Sequence, residues 1–298
     1  MEKILEGKTT ETRNLKSMKM DSMSVREVLT LINEEDKRVP ESVQKVIPEI
    51  EKAVDLVIET FNKGGRLIYM GAGTSGRLGV LDAVECPPTF GVDKTKVMGL
   101  IAGGEKAFIE AQEGAEDSKE LAIEELKEIG LTSSDIVCGI AASGRTPYAI
   151  GGIEYAKMIG CKTIAISCNR GSMIGKIADV AIEVEVGPEV LTGSTRMKAG
   201  TAQKLILNMI STTSMTGIGK VYENLMVDLK ITNIKLQERA KNNVMQITGC
   251  SYEVAQEALE KSNNQVKVAI VMVLLNCDKE QALERLNQSK GFIREAVK

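Results

Sequence analysis

The chain contains no histidine among its 298 residues, and this absence removes whole classes of chemistry. No Ser-His-Asp or Cys-His pair can be assembled, and no HExxH zinc site. Proton transfer must fall to Glu, Asp, Lys, Tyr or Cys. Tryptophan is absent too, and aromatics make up only 3% of the chain, so base-stacking platforms for single-stranded nucleic acid are not expected. There is no excess of positive charge. The net charge is −3, which gives no global basic field to attract a polyanion. No pair of the six cysteines (Cys86, Cys138, Cys161, Cys168, Cys250 and Cys277) forms a CxxC. Their scattered placement reads as reduced, buried thiols in a cytoplasmic protein. Nothing signals a metal site. The longest apolar stretch, Val268 to Leu275, is far too short for a bilayer and reads as a buried helix. The opening residues MEKILEGKTT carry charges where a signal peptide needs an apolar run.

What is present is a pattern used twice. A short apolar run leads into a small-residue loop with Ser-Gly-Arg, and a helical pattern follows. The first copy is RLIYM-GAGTSGRLG (66–79), the second DIVCGI-AASGRTP (135–147). A strand running through such a loop into a helix delivers backbone N–H groups, hydroxyls and a helix N-terminus to one point, which suits a phosphate. Two such points on one sheet suggest a phosphorylated small molecule as ligand. GAGTSG (71–76) also matches the dinucleotide fingerprint GxGxxG. The acid expected at the end of the second strand is replaced by Ala102-Gly103-Gly104, with Glu105 just beyond. Thr74 and Ser75 put hydroxyls into the loop instead, which favours a compact phosphate. In the second loop Ser143 and Thr146 offer hydroxyls and Gly144 permits close approach. Charge-assisted hydrogen bonds of this kind contribute about 1.5–3 kcal/mol each. Ser143 can equally serve as a helix N-cap. A third cluster, GSTRMKAGT (193–201), offers Ser194 or Thr195 as the cap of a following helix, with Arg196 and Lys198 adding positive charge.

Two carboxylates stand out. Glu85 lies in DAVECPPT (82–89), where Pro87 and Pro88 should stop the helix. A carboxylate at a helix C-terminus is disfavoured as an anion, so its pKa should rise toward what a general acid needs. Glu116 lies in an acidic helical run, EAQEGAEDSKELAIEELKE (110–128), that Gly114 interrupts at a cost of about 1 kcal/mol relative to Ala. Spacing alone does not select it over Glu110, Glu113 or Asp117, and such a run is commonly a solvated face.

The length is a soft prior for two domains, or one large domain with an appendage. From Ser24 the pattern is helical, with a break at Pro40, a kink or new start at Pro48 and a stop at Gly64-Gly65. Apolar strand candidates follow at 66–70, 96–101, 135–140, 162–167 and 180–184, alternating with helical stretches. Near-continuous apolar strands of this kind imply a parallel sheet covered on both faces. VAIEVEV, alternating apolar and acidic, reads as an edge strand. Beyond Tyr222 the texture is helical to the end, with turns at Thr248-Gly249, Asn263-Asn264 and Asn276. The expected organisation is an N-terminal helical segment (1–50), an α/β domain carrying the two phosphate-type loops (51–222) and a small helical domain (223–298).

LIYMGAGTSGRLGVLDAVECPPTFGVD (67–93), GLIAGGEKA (99–107), EGAEDS (113–118), GIAASGRTPY (139–148) and TGSTRMKAGTAQKLILNM (192–209) closely resemble the N-acetylmuramic acid 6-phosphate etherase family. TETRN (10–14) and INEEDKRVPESV (32–43) fit its N-terminal region. The resemblance implies an α/β sugar isomerase (SIS) fold, a parallel sheet flanked by helices and usually dimeric, with a phosphosugar substrate and no metal or nucleotide cofactor. It implies removal of D-lactate from N-acetylmuramate 6-phosphate. Glu85 falls on the family's proton donor to the leaving lactate, and Glu116 on its base. Ser75, Ser143 and Thr146 fall on phosphate-contacting positions of the wider SIS fold. Arg145, Ser194, Thr195 and Lys198 are added as substrate contacts on chemical grounds. The rival readings are a phosphosugar-binding regulatory protein, which would not need both glutamates, and an aldose-ketose isomerase, which needs no acid at C-3. A DNA-binding sensor would carry a basic helix-turn-helix ahead of the sheet. Residues 1–50 hold nine Lys/Arg and ten Asp/Glu, so neither nucleic acid nor membrane is expected as a partner.

Overall fold

The computed structural model describes residues 9–110, 112–231 and 233–298. They divide into two compact units: residues 9–84 with 95–211, and residues 85–94 with 212–298.

The first unit opens with short 3-10 turns at Thr9–Glu11, Leu15–Ser17 and Met20–Ser22, then α1 (Val25–Asp36), α2 (Arg38–Gln44) and α3 (Ile47–Asn62). Ser24 and Glu27 close a reciprocal capping box at the start of α1. The break expected at Pro40 falls earlier, at Lys37. Pro40 lies in the first turn of α2, where its missing N–H removes no helical hydrogen bond. Pro48 opens α3, as its ring favours. Ile50, Val54 and Val57 form the buried stripe of α3, which packs against the sheet. Residues 9–50 therefore belong to the sheet's own unit, and the expected separate N-terminal segment is corrected accordingly.

Five parallel strands follow: β1 (Leu67–Gly71), β2 (Val97–Ile101), β3 (Ile136–Ile140), β4 (Lys162–Ser167) and β5 (Val180–Glu183). Their order is β2-β1-β3-β4-β5, which puts β5 at the edge. All five residues of β1 and of β3 are buried, which explains why these strands read as continuous apolar runs. Between the strands lie α4 (Gly73–Phe90), α5 (Gly104–Ile109), α6 (Lys119–Glu128), α7 (Pro147–Ile159) and α8 (Met173–Ile177). On one face Ile68, Met70 and Val137 meet Ala122 and Leu126 of α6 and Tyr148 and Ala156 of α7. Toward the other face Tyr69 donates its hydroxyl to Asp82 of α4 at 3.0 Å. There α4 lies so close to β2 that a Cβ on Gly99 would come within 2.5 Å of the Val80 Cα.

Two expectations change here. The acidic run is not one helix. Gly114, in the left-handed region at φ +78°, starts a 3-10 turn at Ala115–Asp117 between α5 and α6, so Glu116 sits on a turn. Helix α4, moreover, does not stop before Pro87 and Pro88. Both prolines fit its last turn, and Gly91, at φ +66°, closes it by donating to the Pro87 carbonyl at 3.0 Å. Glu85 is thus inside the helix and not at its end.

The long α9 (Lys198–Gly217) begins later than residue 193, and the boundary between the units falls within it, at 211/212, not at 222/223. The second unit holds a two-stranded ribbon of β6 (Val221–Tyr222) and β7 (Leu225–Met226). Helices α10 (Ile234–Thr248), α11 (Tyr252–Lys261), α12 (Val266–Leu275), α13 (Lys279–Gln288) and α14 (Ile293–Ala296) complete it. Its core centres on Val268, Ala269, Ile270 and Val271 of α12, packed with Val244, Leu259 and Leu286. Gly249, Asn263, Asn264 and Asn276 all take positive φ between helices, as the turn signals predicted. Among the described residues no helix is long and apolar enough to cross a membrane.

The starts of β1 and β3 are tied together by one side chain. Asp135, 3% exposed, accepts from the Arg66 amide (2.9 Å), Arg66 Nε (3.0 Å), Arg66 Nη2 (2.7 Å) and the Thr132 amide (3.0 Å). Asp135→Ala leaves Arg66 and two amides without their anion. It is expected to cost about 3 kcal/mol, read as a lower urea midpoint at unchanged slope.

Candidate active site

The chain leaves β1 to form β2 on one side and returns to form β3 on the other. In open parallel sheets this reversal opens a crevice at the carboxyl ends of the two strands, where ligands bind. Both Ser-Gly-Arg loops leave from here, since Gly71 ends β1 opposite Ile140, the end of β3. The first loop turns on Gly73 at φ +52°. A Cβ on Gly76 would come within 2.5 Å of the Gly71 carbonyl, so only glycine lets α4 start this close to the strand. Thr74 and Ser75 fall in the first turn of α4, whose leading amides have no intrahelical acceptor. Ser75 is buried and Thr74 half-buried.

In the second loop Gly144 turns at φ +70°, and a Cβ there would strike Ser172 at 2.4 Å. Ser143 Oγ accepts the Arg145 amide at 3.2 Å. The N-cap position of α7 belongs to Thr146, not to Ser143, and the Thr146 hydroxyl makes no capping bond. Asn169 braces this loop by donating from Nδ2 to the Ala142 carbonyl (3.0 Å) and to Thr10 Oγ1 (3.1 Å). Thr9 donates to Asn169 Oδ1 at 3.1 Å, so part of the TETRN segment supports the loop.

The third cluster is built differently from the expectation. The cap of α9 is neither Ser194 nor Thr195. It is Glu189, fully buried, whose two carboxylate oxygens accept the Lys198 amide (3.0 Å) and the Ala199 amide (2.9 Å). Burial pushes the Glu189 carboxyl up, against those amides and the Lys198 charge. Lys198 is corrected as a direct substrate contact. Its side chain is 1% exposed and its Nζ donates to Glu35 Oε2 at 2.9 Å. Glu35, also 1% exposed, further accepts from Asn14 Nδ2 (2.9 Å) and Lys16 Nζ (2.9 Å). Burial alone would raise Glu35, but the hydrogen bonds from Lys198, Lys16 and Asn14 outweigh it and hold the carboxyl at about 2. Ser194 and Thr195 are half-buried on the turn before α9. Gly200 packs so that a Cβ would meet Thr74 Cγ2 at 3.3 Å, which sets the start of α9 against the first loop.

Glu116 lines a cavity of about 200 Å³ together with Ala72 and Gly73 of the first loop, Arg77, Gln112, Glu113 and Gly114. Of the four acids that spacing left equivalent, the cavity takes two, Glu113 and Glu116. Arg77 anchors the segment ahead of them, donating to the carbonyls of Phe108 (2.8 Å) and Ala107 (2.7 Å). Glu85 is exposed on α4. One turn before it, Asp82 accepts from Tyr69, Asn208 (2.7 Å) and Ser211 (3.1 Å), and burial pushes its carboxyl up despite them. Glu35, Glu189, Asn169 and Gln203, which accepts the Ser75 hydroxyl at 3.0 Å, were not singled out by sequence reasoning. Each acts through a partner more than eight residues away, and no local pattern marks such a pairing.

A model of the glucokinase regulatory protein N-terminal SIS domain matches residues 49–157, and a UBA-like domain model matches residues 240–280. Curated relatives named N-acetylmuramic acid 6-phosphate etherase from Bacillus cereus (strain G9842) and Bacillus mycoides (strain KBAB4) are each 60% identical over 294 residues. These alignments cover 99% of this chain and 100% of each relative. The chain belongs to the N-acetylmuramic acid 6-phosphate etherase family. Phosphoheptose isomerases from Neisseria gonorrhoeae and Francisella tularensis share the fold, each at TM-score 0.51 and 16% identity, covering 65% of this chain and 100% of theirs.

The Glu35 environment gives a pH signature. A carboxyl held at about 2 against an ordinary 4.5 contributes stability that is present above pH 4.5 and is lost as pH falls toward 2. The shift corresponds to about 3 kcal/mol. The difference in thermal midpoint between wild type and Glu35→Gln is expected to be full at pH 7 and to shrink progressively below pH 4.5. A gap independent of pH overturns the assignment.

Proposed function

We propose that the chain removes D-lactate from N-acetylmuramate 6-phosphate by elimination followed by hydration, releasing N-acetylglucosamine 6-phosphate. One observation carries this reading: Glu116 lines the cavity floored by the first loop, in a chain matched end to end by relatives that bear the substrate's name. The phosphate is assigned to Thr74, Ser75, Ser143, Gly144 and Thr146, with Arg145, Ser194 and Thr195 at its margin. Lys198 acts indirectly, through Glu35 and Glu189. Holding the remote phosphate fixes the reacting carbons and turns binding energy into orientation.

In the open-chain sugar the C-2 proton is acidic because it adjoins the aldehyde. Glu116 takes that proton. The electron pair moves toward the carbonyl and then expels the lactyl oxygen from C-3 as the C-2/C-3 double bond forms. Glu85, assigned from its place in DAVECPPT, gives a proton to that oxygen, which leaves as the hydroxyl of D-lactate. Water then adds its oxygen at C-3, and a proton returns to C-2. One water is consumed for each lactate released.

The reading extends to a cytoplasmic homodimer. Support for association comes from Leu81 and Val84, apolar side chains 46% and 58% exposed on α4. The cytoplasmic reading rests on six cysteines without a disulfide. Light scattering on the 32.3 kDa chain is expected to return twice the chain mass, and a monomer at micromolar concentration removes the dimer.

Glu116→Gln is expected to slow solvent deuterium exchange at C-2 by at least about 10²-fold. Exchange at the wild-type rate excludes Glu116 as the base. Glu85→Gln is expected to lower lactate release by about 10²–10⁴-fold while substrate binding and C-2 exchange persist. Normal turnover in that variant removes the proposed acid.

A further inference from the structure

Ser75 and Gln203 form a buried pair whose hydrogen-bond inventory does not close in the arrangement seen. Gln203 is 1% exposed and Ser75 is 7% exposed. Ser75 Oγ lies 3.0 Å from Gln203 Oε1. Two oxygens at that distance need a proton between them, and the amide oxygen has none to give. The single proton of the Ser75 hydroxyl is therefore committed to Gln203. The other end of the amide, Gln203 Nε2, is buried and has no hydrogen-bond partner. Buried amide donors are almost always paired, so an orphan beside the first loop calls for a physical account.

A half-turn of the amide reverses the roles within the same volume. Gln203 Nε2 then donates to Ser75 Oγ, and the hydroxyl proton is free to point elsewhere. A phosphate dianion can only accept, so Ser75 can donate to one at the first loop only in this second arrangement. We propose that Gln203 is a positioning residue for the phosphate of the substrate. Its carboxamide holds the Ser75 hydroxyl as acceptor, so that Ser75 donates to the bound anion. The proposal rests on the phosphate assignment above and adds the residue that sets the direction of that hydrogen bond. Helix α9 thereby takes part in binding through Gln203, one turn beyond the Gly200 that packs against Thr74.

The geometry predicts how substitutions divide between KM and kcat. In Gln203→Glu the ionised carboxylate can only accept. It captures the Ser75 proton permanently and adds negative charge beside the anion. KM for N-acetylmuramate 6-phosphate is expected to rise about tenfold or more with kcat little changed, because the phosphate is held equally in ground and transition states. Inorganic phosphate should weaken as a competitive inhibitor by a similar factor. Adding Ser75→Ala to that variant should cost little more, whereas Ser75→Ala alone raises KM, so the two changes are not additive. Gln203→Met keeps the volume without donor or acceptor and guards against misfolding of the charged variant, with an expected rise in KM of about threefold. Thermal midpoints of all variants are measured alongside.

Wild-type KM in Gln203→Met or in a folded Gln203→Glu overturns the proposal. So does a loss confined to kcat, or full additivity with Ser75→Ala. If inorganic phosphate fails to compete in the wild-type enzyme, the phosphate assignment itself falls and takes this proposal with it. Competition in wild type with unaltered Gln203 variants overturns the Gln203 role alone.

Discussion

A parallel sheet whose winding reverses beside its first strand is the constraint on which this site depends. Parallel strands need crossover connections. Because β1 passes first to β2 and the chain then crosses to β3, the connections leaving β1 and β3 diverge over the sheet. Their loops are left side by side at the carboxyl edge, each followed by a helix whose first amides lack acceptors. The strand pairing Gly71 with Ile140 fixes the spacing of the two loops. The glycines at 71 and 76 then allow backbone to approach backbone where a side chain would hold it away, Gly144 leaves room for the Ser172 side chain, and Gly73 turns the first loop at positive φ.

Around that crevice the chain invests its buried charge. Glu189 caps α9, Lys198 is neutralised by Glu35, and Glu35 collects Asn14 and Lys16 from the N-terminal turns. Removing Glu35 leaves the buried Lys198 charge without its ion-pair partner, which is far costlier than never having placed it there. The N-terminal residues thus do more than cover the sheet. They complete the electrostatics of the helix start that carries Gly200 and Gln203 toward the first loop. Thr9 and Thr10, through Asn169, serve the second loop in the same way.

The sequence was most legible where a short stretch carried its own meaning. Strand runs buried on both faces, glycines at forced turns, and hydroxyl-bearing loops after β1 and β3 are local features, and their positions matched within a residue or two. It was less legible where a residue's surroundings overrode its propensity. Pro87 and Pro88 read as a stop, yet α4 runs through both to Phe90 before Gly91 closes it. Lys198 read as free positive charge because nothing nearby in sequence announces Glu35, more than 160 residues away. Gly114 read as a flaw in a helix, although it is the left-handed start of the turn that carries Glu116 into the cavity.

By itself the sequence determined the α/β alternation, the two hydroxyl-bearing glycine loops and the exclusion of histidine from any proton chemistry. These follow from residue type and spacing, which the unfolded chain already possesses. Only the tertiary structure decided which acids of the 110–117 run line the cavity beside the first loop, which carboxylate caps α9, and that Ser75 pairs with Gln203. Each of those choices is a pairing between distant segments. Its energy comes from desolvation and hydrogen-bond geometry, which exist only once the sheet has brought the segments together.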